Sequence, residues 1–61
     1  MTIEIINTAS DDPKYSKTIR SAQVSMVPRI GDRIQVGYVP APVVTEVLWD
    51  YDANRVLVEV K

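Results

Sequence analysis

The sequence predicts a small all-β domain, a five-stranded antiparallel barrel or roll of SH3-like or OB-like scale. Three observations predict it. Apolar residues alternate with polar ones in short runs, turn residues punctuate those runs, and no window sustains helical spacing with caps for two turns. A chain of 61 residues holds one domain, residues 1–61, with a thin core. A truncated sandwich is the rival architecture.

The first strand is Thr2 to Ile6, with Ile3 and Ile5 on one face and Thr2 and Glu4 on the other. Asn7 to Lys14 is turn chemistry closed by Pro13. Tyr15 to Val27 reads as a second extended stretch whose pattern slips. Tyr15, Lys17 and Ile19 are odd-numbered, whereas Ala22, Val24 and Met26 are even-numbered, so a bulge or bend is expected between Arg20 and Gln23. Pro28 to Asp32 is a connector, with Gly31 as its turn residue and Ile30 as a plug into the core. The third strand is expected at Arg33 to Tyr38, burying Ile34, Val36 and Tyr38 together. Pro40-Ala41-Pro42 then forces a stiff extended crossing. Val43 to Tyr51 and Arg55 to Lys61 are strands four and five, joined by a hairpin in which Asn54 takes the left-handed conformation.

Composition narrows the chemistry. Apolar residues are 46% and charged residues 25%, which is globular rather than disordered. Seven basic side chains stand against eight acidic ones, a net charge of −1, so no strong field draws in a long nucleic acid or an anionic membrane. There is no cysteine and no histidine. Disulfides, thiolate metal sites, thiol nucleophiles and histidine-based triads are therefore excluded, and no cofactor or metal is expected. No apolar run approaches the roughly 18 residues of a membrane span, and the amino terminus lacks signal-peptide character. The expectation is a cytoplasmic, soluble protein that is not an enzyme.

Each candidate site reads more simply as structure. Asp50 to Asn54 begins like a calcium loop, but the sixth loop position, which needs glycine, is Arg55 and the twelfth, which needs glutamate, is Lys61. Its oxygens then serve a hairpin turn. Asp32, Glu46, Asp50 and Glu59 read as solvated strand-face charges, and Trp49 as a core residue. Strand periodicity sets Val47, Trp49, Val56, Val58 and Val60 inward. It leaves Val44, Leu48 and Leu57 outward among charges. Those three are either scattered surface residues or a contact for a second copy, making the protein a homo-oligomer. The basic residues Lys14, Lys17, Arg20, Arg29 and Arg33 fall between positions 14 and 33. With Tyr15 or Tyr38 they form a candidate anion or nucleotide site, for which Arg29, Arg33, Lys17, Arg20 and Tyr38 are the residues of choice.

The run Val27-Pro28-Arg29-Ile30-Gly31-Asp32-Arg33-Ile34, then Val44, Val47 and Trp49, then Val56, Val58 and Val60 resembles small proteins of bacteriophages and prophages. Those proteins carry a VPR-(Ile/Val)-GD-x-(Ile/Val) loop, a V-x-x-V-x-W strand and a valine-alternating last strand. The resemblance covers about the last 35 residues. It implies a small β-barrel of viral origin and brings no catalytic residue. The resulting expectation is a non-catalytic, oligomeric binding protein that inhibits host defence by sequestering a host protein or a small nucleotide signal. The alternative is a structural or accessory protein, a minor virion or scaffold component, with no small-molecule ligand.

Overall fold

Alternation of Ile3, Ile5 and Asn7 against Glu4 and Ile6 makes β1 (Thr2–Asn7) a strand with one buried face, and Val56, Val58 and Val60 do the same for β4 (Arg55–Val60). These two are the central strands of one four-stranded mixed sheet. In the computed structural model, which describes residues 1–61, β2 (Lys17–Ile19) flanks β1 and β3 (Val44–Asp50) flanks β4, giving the order β2-β1-β4-β3. The pairing of β1 with β4 is parallel, setting Ile3 beside Val56, Ile5 beside Val58 and Asn7 beside Val60. The other two pairings are antiparallel. No helix is long and apolar enough to cross a membrane.

The sheet is open rather than closed into a barrel, and it has four strands rather than five. The expected strand at 33–38 is missing. Its only ladder contact is a single bridge between Arg33 and Val43. Val36 is nonetheless buried, and Ile34 and Tyr38 pack on the core, so the alternating pattern is that of a loop laid over the sheet. Gly37 at φ +116° and the donor-free Pro40 and Pro42 keep this stretch out of a ladder. The long second strand shrinks to Lys17–Ile19, because the chain turns at Arg20 and Ser21 and enters a 3-10 turn at Val24–Met26. The slip in phase is thus resolved by leaving the sheet, not by a bulge.

A bulge occurs elsewhere. Val44 pairs with Val60 and Glu46 with Glu59, so Thr45 is an extra residue in β3. The inserted residue shifts the phase and turns Val44 to the same side as Val47 and Trp49. Val44, expected outward as an interface residue, is therefore a core residue at 1% exposure. The core comprises Ile3, Ile5, Ala22, Val36, Val44, Val56, Val58 and Val60. It lies between one face of the sheet and the 20–43 segment. Mutual bonds between Met1 and Ala22 anchor that segment at one end, at 3.2 and 2.8 Å. At the other end Gly31 donates to the Val44 carbonyl at 2.9 Å, and Val44 donates to Asp32 at 2.8 Å. The opposite face of the sheet has no covering layer, and none of its residues is buried.

Candidate binding surface

The β3–β4 hairpin positions the most distinctive surface of the molecule. Asp50 closes it: one carboxylate oxygen accepts from the Ala53 N–H at 3.2 Å, the other from Arg55 Nε at 3.1 Å. Asn54 takes φ +53°, the left-handed turn position expected of it. The Arg55 guanidinium beside Asp50, with the Ala53 N–H, holds the Asp50 carboxyl below its ordinary value. The oxygens of this loop serve its own backbone and Arg55.

Beyond the hairpin, β3 is the edge of the sheet. Val43 and Lys61 exchange two backbone hydrogen bonds, at 3.2 and 3.0 Å, whereas Val44 turns both its polar groups to the 31–32 loop. Antiparallel ladders alternate in this way. Past the bulge the alternation directs Glu46, Leu48 and Asp50 toward β4, and it leaves the N–H and C=O of Val47 and Trp49 pointing to the open edge. No turn, loop or side chain bonds to them.

Two hollows run along this edge on the core side. One, of about 520 Å³, is lined by Met1, Val24, Trp49, Tyr51 and Val56, with the polar Asp50, Asn54 and Arg55 where it reaches the hairpin end. The other, of about 590 Å³, is lined by residues including Val24, Val27, Arg29, Ile30, Val47 and Trp49. They share Val24 and Trp49, so together they form one apolar trough straddled by the indole. Trp49, expected to be a core residue, faces the core side opposite Val56 but lies outside the core at 40% exposure, because no strand lies beyond it. Val24, Met26, Ile30 and Tyr51 are also large exposed hydrophobics. Ile30, expected to plug the core, is 69% exposed on the rim.

The uncovered face carries a second pattern. Leu48 lies opposite Leu57, and Glu46 opposite Glu59. These four side chains line a smaller hollow of about 180 Å³. The Glu46 carboxyl, hydrogen-bonded to Glu59 and repelling its charge as burial thins its solvent, pushes the Glu59 carboxyl above its ordinary value. Arg55 is paired with Glu4 at 3.3 Å and Asp50 at 3.1 Å, at the other end of the face. This face therefore has surplus negative charge beside β3.

The five residues expected to hold an anion do not converge on one hollow. Lys17 and Arg20 are exposed at the β2 edge, and Arg29 and Arg33 lie in the loop that meets β3, at the far edge of the sheet. Arg33 Nη1 donates to the Ala41 carbonyl at 2.9 Å. Tyr38 is half-buried, accepts from Asn7 at 2.8 Å and packs edge-on against Tyr15 at 4.9 Å. Arg29 alone lines a hollow. Of the expected interface residues, Leu48 and Leu57 do point outward, half-exposed and half-buried respectively. Sequence reasoning passed over Val24, Ile30 and Tyr51. The available signal was an aromatic pair, Trp49 and Tyr51, at alternate positions running into a hairpin.

Comparison with protein-family models, curated proteins and solved structures finds no match to this chain.

Proposed function

We propose that this protein is a non-catalytic binding protein whose ligand is an apolar segment of another protein, taken up along the β3 edge. The observation that carries this reading is the continuity of the two apolar hollows at Trp49 and Val24. Contiguous apolar surface of this kind beside an exposed indole is the common form of a protein-docking site. A nucleotide needs several free cations at one hollow, and the trough offers Arg29 and, at its hairpin end, an Arg55 already paired with Glu4 and Asp50. Taken with the resemblance to bacteriophage proteins, the captured protein is a host factor and capture inhibits it.

Display of random heptapeptides against the immobilised protein tests the reading. Peptides should enrich on the wild type and be lost on Trp49→Ala. Enrichment indifferent to Trp49→Ala, or a rise in melting temperature with nucleotides and no peptide enrichment, would refute it.

A second reading, a structural or accessory protein assembling with itself, is favoured by the outward Leu48–Leu57 pair. Light scattering of wild type and Leu57→Lys decides it. A concentration-dependent oligomer that the substitution dissolves supports self-assembly, and a monomer at millimolar concentration removes it.

A further inference from the structure

We infer that the β3 edge accepts an extended strand from a basic partner protein, antiparallel to β3, with a Lys or Arg placed opposite Glu46. This rests on the reading of the Trp49 trough as a protein-docking site and adds the conformation and charge of what docks there.

Three features of the edge point to a strand. The free N–H and C=O groups of Val47 and Trp49 lie two residues apart on one strand, the repeat at which an added antiparallel strand exchanges bonds. The stretch from Glu46 to Asp50 holds no Pro and no further bulge, and its only edge guards are the acidic Glu46 and Asp50, which repel a like-charged strand and admit a basic one. The trough lies under the side-chain face of Val47 and Trp49, so side chains of an added strand beside those residues enter it.

The partner's chemistry follows from the register. Call the residue opposite Leu48 the centre of the incoming strand. Its two neighbours pair with Val47 and Trp49 by hydrogen bonds and send their side chains toward the trough, so they are apolar. The residues two positions away lie on the outer face, opposite Glu46 and Asp50. Asp50 is already engaged by Arg55, while Glu46 faces Glu59 and has no cation. A Lys or Arg opposite Glu46 relieves that like-charge pair, as cross-strand charge pairs do.

The same rule argues against a second copy. Two β3 edges paired about an axis at Leu48 set Glu46 of each copy against Asp50 of the other, two unfavourable pairs.

The probe is acetyl-Thr-Lys-Val-Leu-Ile-Lys-Thr-amide, followed by fluorescence of Trp49, the single tryptophan. In register, its Leu lies opposite Leu48, its Val opposite Trp49, its Ile opposite Val47 and its second Lys opposite Glu46. Binding should be saturable. N-methylation of the Val and Ile amides should weaken it at least about tenfold, whereas N-methylation of the Leu amide, which points away from β3, should not. Replacing the second Lys by Glu should weaken binding roughly two- to fivefold, and Glu46→Lys should reverse that preference.

No binding to the wild type overturns the proposal. Saturable binding that changes Trp49 fluorescence but ignores the N-methyl positions overturns strand addition while the trough reading stands. Binding that ignores the charge swap overturns the basic partner. A dimer in light scattering that the peptide splits assigns the edge to a second copy and overturns it as well.

Discussion

Asn7 Nδ2 donates to the Tyr38 hydroxyl at 2.8 Å, tying the end of β1 to a loop residue 31 positions later in the chain. The amide is buried at 4% exposure, and its carbonyl oxygen is already occupied by the Ala9 N–H at 2.9 Å. Tyr38→Phe keeps the ring against Tyr15 but leaves the buried N–H without its acceptor. The expected cost is about 1–3 kcal/mol. A core of this size rarely supplies more than about 3–5 kcal/mol, so urea unfolding should show a large fall in midpoint at unchanged slope. A loss below about 0.5 kcal/mol would mean that water replaces the hydroxyl.

Gly37 supports the same corner from the backbone. It sits at φ +116°, and a Cβ there would stand 3.4 Å from the Tyr15 ring. Gly37→Ala should cost about 1–3 kcal/mol, mainly through the backbone conformation. Gly31→Ala is the comparison, since Gly31 is at φ +95° with open space around it. Equal losses in thermal unfolding assign the cost to φ alone, and a clearly larger loss at Gly37 assigns the excess to the tyrosine pair.

Val44 and Leu48 test the bulge. Strand periodicity places them on one outward face, but Thr45 separates them onto opposite faces. Val44→Ala should therefore cost about 1.5–3 kcal/mol, from lost burial and the cavity left behind. Leu48→Ala should stay within about 0.5 kcal/mol in the monomer. Equal small effects in chemical denaturation would place Val44 outside the core.

Those two residues also mark where the sequence stops being readable. The β1 alternation, the β3–β4 hairpin and the left-handed Asn54 are local signals, set by neighbours within a few residues, and each is legible. Period-two burial at Ile34, Val36 and Tyr38 is equally legible as burial, but an extended loop lying on a core has the same period as a strand. The parallel union of β1 with β4 joins the two ends of the chain, and no local pattern encodes it. The candidate surface was hidden for that reason. Trp49 points to the core side as its alternation demands, yet the sheet order makes β3 an edge and leaves the indole half in solvent. The scattered basic residues failed to converge on one hollow for a related reason. Closeness in sequence between positions 14 and 33 is undone by a segment that runs from one edge of the sheet to the other.

Glu46 and Glu59 give the stability a distinct dependence on pH. The Glu59 carboxyl is raised above its ordinary 4.5, first by the hydrogen bond with Glu46, then by reduced solvation and by repulsion. A carboxyl with a raised folded pKa binds its proton more tightly in the folded state. Its contribution is fully present below the unfolded value and is lost as pH rises through the folded one. Asp50 runs the other way. Held below its ordinary 3.8 by Arg55, it contributes above that value and loses the contribution as pH falls through the folded one. Glu59→Gln should therefore raise the melting temperature at pH 7, with the gain vanishing near pH 4.5 and below. Glu46→Gln should do the same, and the double substitution should add little to either, because each removes the same repulsion. Asp50→Asn should lower the melting temperature at pH 7 and converge with the wild type in acid. Melting curves of the four variants between about pH 3 and pH 8, spanning the carboxylate range, check all of this. A Glu59→Gln gain that persists unchanged at the acid end would show that the ionisation of Glu59 beside Glu46 is not what the substitution relieves.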